Sequence, residues 1–330
     1  MRGKIINLLR ENIGRSVSGE ELSRQLGISR TAIWKHVQHL KNAGYEIESV
    51  YKKGYILHSP PNLLLPGEIA VNLKTKWLGH NIIYQTSVKS TNDVAKQAAL
   101  DNCPHGTIIV AEEQTGGRGR IDRGWFSPLG GGVWFSIVLR PPFLPQEAPK
   151  FTLFMATVLA KSLAKYPGLA VDIKWPNDIL CQGKKLVGIL TEMNAQMEAI
   201  NHIVIGTGVN VCIAQDIIPA ELQGKAGCVC EFVKEDVNRV KLLVTILKEF
   251  ELLYDRTLRE GFDFMLGEWR KHCITLGRTV KVIAPDETFT GVALDIDETG
   301  ALLVKNQEGE VRKVLAGDVS VRSADSKGYI

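Results

Sequence analysis

No apolar run in this 330-residue chain is long enough to cross a bilayer. The N-terminus also lacks the short hydrophobic region of a signal peptide. Neither a membrane protein nor a secreted one is expected, and the reading is a cytoplasmic protein. Cysteine is scarce. The six present are scattered, which argues against a disulfide framework and for a reducing compartment. Cys228 and Cys230 form a C-x-C, but no second pair stands at metal-ligand spacing, so both read as ordinary thiols. The usual phosphate motifs are missing too. Gly117 and Gly119 are followed by Asp122 where a third glycine is needed, and no G-x-x-x-x-G-K-S/T occurs.

Excess charge is missing from most of the chain as well. Residues 1–60 hold ten Lys/Arg and five Asp/Glu, whereas the remainder holds thirty and thirty-one. The positive excess therefore sits wholly in the first sixty residues. A basic module on a near-neutral body points to nucleic acid. The local pattern agrees. Residues 18–26 read as a short helix with Leu22 and Leu26 on one face, and Gly27 turns the chain. Ser29 is a good N-cap for a second helix running to Ala43, with Gly44 ending it. Ile33, Val37 and Leu40 share the inner face of that helix. Arg30, Thr31, Trp34, Lys35 and Gln38 fall largely outward, toward a DNA major groove. Two short strands, 45–50 and 54–57, flank a basic tip at Tyr51, Lys52 and Lys53, a wing suited to phosphate contact. A generic helical hairpin with a solvated face is the plainer alternative. Ser59-Pro60-Pro61 and Leu63-Leu64-Leu65-Pro66 then read as a stiff linker over residues 58–66.

Ten residues organise the rest. Gly116-Gly117-Arg118-Gly119-Arg120-Ile121-Asp122-Arg123-Gly124-Trp125 packs four glycines, three arginines and a tryptophan between two strand-like runs, 107–111 and 133–139. Glycines let backbone N–H groups approach a ligand closely, and arginines fork onto carboxylate or phosphate oxygens. An anion-binding lid and a solvated turn are the two readings. Ser90-Thr91-Asn92-Asp93 opens a helix to about residue 101, where the hydroxyl and amide side chains either cap free N–H groups or join Gln114 in binding a neutral polar ligand. Asn177 and Asp178, in Lys174-Trp175-Pro176-Asn177-Asp178, carry turn chemistry. Lys185 stands at the mouth of a strand over 184–192, either solvated or reaching an anion, and 203–210 is a glycine-bearing strand ending at Asn210. From Gly277 the period falls to two over four short runs, which predicts a small β-barrel. The expected fold class is α+β multidomain: a winged helix-turn-helix over 1–60, a mixed-sheet α/β ligand-binding domain over 67–273 and a β-barrel over 277–325.

The ordered set G-R-G-R-x-x-R-x-W, K-W-P-N-D, G-K-K-L-V-G-I-L-x-E and G-x-G-V-N resembles the biotin protein ligases. With the N-terminal helix-turn-helix, the whole chain is similar to bifunctional biotin ligases that also repress the biotin operon. The resemblance implies two substrates, biotin and ATP, with Mg²⁺. Biotin is activated as biotinyl-5′-adenylate and passed to a lysine of the biotin carboxyl carrier protein of acetyl-CoA carboxylase. Arg118, Arg120 and Lys185 match the cations that hold the two anions together, and Asp178 matches a Mg²⁺ ligand or water-holder. Ser90, Thr91, Asn92, Gln114 and Gly119 match biotin-site positions, shared with Arg118, Arg120 and Lys185. Trp125 matches the residue that stacks on adenine. Asn177 and Asn210 line the nucleotide side, and Arg123 orders the lid and touches the nucleotide. The implied partners are operator DNA, the carrier protein and a second copy of the chain, paired when the adenylate is bound as corepressor. A ligand-sensing repressor without ligase activity and a lipoate or octanoate transferase are the alternatives. The intact cation set weighs against the first, and the arginine loop and C-terminal domain weigh against the second.

Overall fold

The turn read at Gly27 stands in the computed structural model with φ at 67°, a left-handed conformation that suits glycine. The structure describes residues 1–42, 44–59, 62–121, 123–284, 287–316 and 320–323. Ala43, Pro60, Pro61, Asp122 and the last residues of the expected barrel lie outside the described residues. Residues 1–72 and 73–330 form two compact units.

In the first unit, Ser18 caps a helix over Gly19–Leu26 (α2) by accepting from the Glu21 N–H at 3.0 Å. Ser29 likewise accepts from the Ala32 N–H at 3.2 Å and opens the helix Arg30–Asn42 (α3). Ile33, Val37 and Leu40 are buried as the period demands, together with Leu22, Leu57 and three residues of an N-terminal helix, Ile5, Ile6 and Leu9. That helix, Arg2–Arg10 (α1), and a short strand, Ser16–Val17 (β1), went unread in the sequence. Glu46–Val50 (β2) and Gly54–Ser59 (β3) form the wing, and the sheet order is β1-β3-β2, all antiparallel. Gly54 has φ at 112°, and a Cβ there would meet the Val17 carbonyl at 2.1 Å, so only glycine fits. The expected linker is corrected in part. Pro66–Asn72 is a helix (α4) belonging to the first unit. Its Glu68 is 3% exposed and is held by Arg10 and by the Tyr45 hydroxyl. These tertiary contacts override the proline-rich approach.

The second unit is built on a seven-stranded sheet in the order β4-β5-β6-β10-β9-β8-β7. Its strands are Ile82–Val88 (β4), Thr107–Gln114 (β5), Gly132–Leu139 (β6), Asp172–Lys174 (β7), Asp178–Cys181 (β8), Lys184–Gln196 (β9) and Ala199–Asn210 (β10). Only β4 and β5 run parallel, joined by the crossover helix Thr91–Leu100 (α5). Every residue of β6 is buried, so both sheet faces are covered. Ala95 and Ala99 of α5 pack on Ile109, Val138 and Val204. Lys150–Leu163 (α6), Arg239–Glu260 (α7) and Asp263–His272 (α8) supply a second apolar layer. In it Phe154 and Phe250 meet edge-to-face at 5.0 Å. The buried Arg239 at the start of α7 reaches Glu112 of β5 at 2.9 Å and the Gly132 carbonyl at 3.0 Å. The sheet core thus satisfies the two charges it encloses.

Thr279–Ile283 (β11), Thr288–Ile296 (β12), Leu302–Asn306 (β13), Val311–Val314 (β14) and Ser320–Ser323 (β15) complete the unit as an antiparallel sheet in the order β14-β13-β12-β11-β15. The expected β-barrel takes the form of this sheet. Closure needs hydrogen bonds between the end strands, and none joins β14 to β15 among the described residues. No helix among those residues is long and apolar enough to cross a membrane.

Candidate active site and DNA-reading face

The floor of the site is made by glycines on the central strands. A Cβ on Gly206 of β10 would lie 2.1 Å from the Asn92 Oδ1, and one on Gly208 would lie 2.1 Å from the Trp125 Nε1. A Cβ on Gly188 of β9 would lie 2.9 Å from the Trp125 ring. The strand glycines are therefore cut-outs for two site side chains. Above Gly206 sits the start of α5. Ser90 is its N-cap but makes no side-chain cap bond. Instead the Gln114 Oε1 accepts from the Thr91 N–H at 2.9 Å and from the Thr91 hydroxyl at 3.1 Å, while Gln114 Nε2 donates to Ser127 Oγ at 2.9 Å. The capping role weighed for Ser90 is thus taken by Gln114 from β5. The Ser90 hydroxyl is left to the cavity it lines.

The arginine loop is an excursion from the end of β5. Trp125 N–H donates to the Gly117 carbonyl at 2.8 Å and Gly119 N–H to the Arg123 carbonyl at 2.6 Å, which pinches the loop at its base. Ile121 at its tip has φ at 55°. Arg118 pairs with Asp93 at 2.6 Å and with Glu192 at 3.3 Å. Arg120 donates to Asn177 Oδ1 at 3.2 Å and to the Ala316 carbonyl. Lys185 pairs with Asp178 at 2.6 Å and stands 5.0 Å over the Trp125 ring. Asn177 is locked by donating to the Ile189 carbonyl at 2.9 Å, and Asn210 by donating to the Gly227 carbonyl at 3.1 Å. The cavity they border measures about 580 Å³, and every residue expected at the biotin and nucleotide sites lines it. That volume suits a drug-sized organic ligand.

The first unit presents its own face. Arg30, Thr31 and Lys35 are exposed on α3, and Gln38 is half-buried. Trp34 is 52% exposed, an apolar surface that the unit's core does not claim. Lys52 and Lys53 are exposed at the wing, with the Lys52 ammonium 5.2 Å over the Tyr51 ring.

Comparison with known proteins agrees across the chain. Residues 84–210 match the biotin/lipoate A/B protein ligase family, residues 2–56 an HTH domain and residues 275–322 the biotin protein ligase C-terminal domain. The bifunctional ligase/repressor BirA of Bacillus spizizenii is 39% identical over 97% of this chain and 98% of its own. The chain belongs to the bifunctional biotin ligase/repressor family. The Bacillus subtilis protein of the same name is 38% identical over 97% of this chain and 98% of its own. Biotin protein ligase from Aquifex aeolicus, solved in complex with biotin and ATP, is 29% identical. It aligns with a TM-score of 0.63 over 74% of this chain and 100% of its own.

Several residues of this ligase/repressor site escaped the sequence reading. Asp93, Lys96 and Glu192 surround Arg118. Ser136 Oγ lies 2.6 Å from Asn92 Oδ1 and 2.8 Å from Thr91 Oγ1. One cavity wall comes from 213–228, including Ile213, Ile218, Leu222 and Lys225. That segment has no helical or strand period, so nothing in its sequence marked it. Cys228 also faces the cavity. Burial pushes its thiol up to about 11, and burial followed by Cys212 pushes Cys230 to about 12, so both stay protonated. No cluster of three metal-ligating side chains occurs among the described residues. Mg²⁺ does not require one, because it is commonly held by one or two carboxylates with phosphate oxygens and water. Asp178 in the cavity fits that donor set.

Proposed function

We propose that this protein activates biotin with ATP and transfers it to a carrier lysine, and that it also binds operator DNA as a repressor. One observation carries the reading: a single cavity is bordered by Arg118, Arg120 and Lys185 as well as by the neutral set Ser90, Thr91, Asn92 and Gln114. The neutral set suits biotin's cyclic urea. The cations suit two anions that must meet. The biotin carboxylate attacks the α-phosphorus of ATP, forming a mixed anhydride and releasing pyrophosphate. An amine of the carrier then attacks the acyl carbon, and AMP leaves. Neither step needs a covalent enzyme intermediate.

The residues divide this work. Lys185, beside Asp178 and over Trp125, is placed to stabilise charge at the reacting phosphate. Trp125 offers a flat face for adenine, lined by Asn177 and Asn210. Mg²⁺, when bound, would neutralise phosphate charge with Asp178 as its protein ligand. Arg118, Arg120 and Arg123 close the loop over the adenylate and keep out water that would hydrolyse it. The carrier protein and a second copy of the chain are the partners we assign, with the adenylate as corepressor. Incubation with ATP, Mg²⁺, labelled biotin and a carrier domain tests the ligase. Label on the carrier lysine is expected, and a carrier left unlabelled would overturn the reading. Labelled lipoate in a parallel reaction separates the alternative acyl substrate.

A further inference from the structure

Asn92 is 3% exposed and its amide is held at both ends. Nδ2 donates to the Leu190 carbonyl at 3.2 Å and to Glu192 Oε2 at 2.8 Å, both on β9. Oδ1 accepts from Ser136 Oγ of β6 at 2.6 Å. A flipped amide would set its carbonyl oxygen against a backbone carbonyl and a carboxylate, neither of which has a proton to give. The clamp therefore decides what Asn92 can show a ligand, which is an oxygen with a remaining lone pair and not an N–H.

The same carboxylate has a second set of partners. Glu192 takes Lys96 at 2.9 Å and Arg118 at 3.3 Å, while Asp93 takes Arg118 at 2.6 Å and Lys96 at 3.4 Å. Two carboxylates thus hold the first arginine of the loop. Arg118 is 37% exposed at its side chain, so water and salt weaken this hold. An anionic ligand has only a modest interaction to displace.

We propose that Glu192 is a positioning residue with two tasks. It fixes Asn92 as a hydrogen-bond acceptor for a ligand N–H. With Asp93, it retains Arg118 until an anionic ligand competes for the guanidinium. The inference rests on reading the cavity as a biotin site, but the clamp and the hold both belong to the ligand-free protein. The two tasks affect ligand affinity in opposite directions. Losing the clamp weakens binding, whereas losing the negative charge removes a competitor and strengthens it. Glutamine at 192 keeps an acceptor for Asn92 and drops the charge, and alanine drops both.

Two measurements on the full chain test this. Tryptic cleavage within 116–124 reads the hold without any ligand. Combining Glu192→Gln with Asp93→Asn should speed it several-fold at unchanged melting temperature. Calorimetric titration with biotin reads the clamp. Glu192→Gln should bind biotin more tightly than wild type, whereas Glu192→Ala should bind about tenfold more weakly, the size of one lost charged hydrogen bond. Ser136→Ala removes the other arm of the clamp and should also weaken binding, which keeps the test open if Glu192→Ala folds poorly. Unchanged cleavage in the double variant overturns the hold. Gln and Ala shifting biotin affinity in one direction overturns the two-task assignment and leaves a merely structural residue. If cleavage responds while wild type binds no biotin, the hold stands and the biotin reading of the cavity falls.

Discussion

At the scale of single residues, the site is a set of paired charges that a ligand must re-pair. Lys185 is the clearest case: its ammonium pairs with Asp178 at 2.6 Å and stands 5.0 Å over the Trp125 ring. On the proposed mechanism, its replacement by alanine removes a compact cation from beside the reacting phosphate. Adenylate formation, followed by stopped flow, should slow by about 10²–10³, the usual cost of one such stabiliser. A rate within a few-fold of wild type would reduce Lys185 to a solvated strand lysine. A second residue-scale effect lies away from the cavity. His105 packs between Trp77 at 4.5 Å and Tyr254 at 5.6 Å, and its Nδ1 accepts from the Arg140 N–H at 2.9 Å. Burial, and then the Arg140 guanidinium, hold this imidazole below its ordinary value, and the same two causes act on His202. The unfolded chain therefore binds protons that the native state refuses. This contribution is fully present above about pH 6.5 and is lost as pH falls through the depressed values. Melting temperature should drop between pH 7.5 and 5.5, and the drop should be smaller in His105→Gln. An identical slope in the variant would count against this account.

At the scale of elements, the recognition helix and wing follow from local rules, and their test is correspondingly local. Lys52 and Lys53 are exposed at the β2–β3 tip, where each can neutralise a phosphate. Replacing both with alanine should weaken operator binding and flatten its log-log salt slope by about 2 for each bound copy, one for each lost contact. Carrier biotinylation should be unaffected, and a fall in it would relocate these lysines to the catalytic cycle. Helix α3 was legible because Ser29 caps it and Ile33, Val37 and Leu40 repeat at helical spacing. The arginine loop was legible because its composition matched its chemistry. Strand β8 was not: Asn177 and Asp178 carry turn chemistry, and only pairing with β9, Asp178 opposite Gly188, makes the strand. Helix α4 hid behind two prolines, although Pro66 itself sits where a helix tolerates proline best. What anchors it is Glu68 meeting Arg10 and Tyr45, residues too distant in sequence for any local pattern to join. Gly206 and Gly208, inside a strand, read as positions of close approach, whereas Gly188 was not marked as one. Which side chains fill them, Trp125 and Asn92, emerges only from the assembled sheet.

At the scale of the whole molecule, one chain carries a helix-turn-helix domain and an arginine loop that, on the proposed function, a ligand orders; occupancy of one would then reach the other. The start of the loop is bonded to the connection after β4: Thr115 N–H donates to the Val88 carbonyl at 2.8 Å and Gly116 N–H to the Lys89 carbonyl at 2.9 Å. Strand β4 is an edge of the seven-stranded sheet among the described residues, and an edge strand is a ready template for pairing with another chain. A ligand that orders the loop lowers the entropic cost of pairing the edge beside it with a second copy. Under the proposed dimer, pairing would tether two helix-turn-helix units and would raise operator affinity, because the second half-site contact becomes intramolecular. The adenylate should therefore shift the protein from monomer to dimer in sedimentation, and operator affinity should rise in step. Carrier protein, by consuming the adenylate, should reverse both. The coupling is thermodynamic and must run both ways, so operator DNA should also tighten adenylate retention by the same factor. An operator affinity indifferent to biotin plus ATP, or a dimer that forms without raising it, would leave a ligase that merely carries a DNA-binding domain.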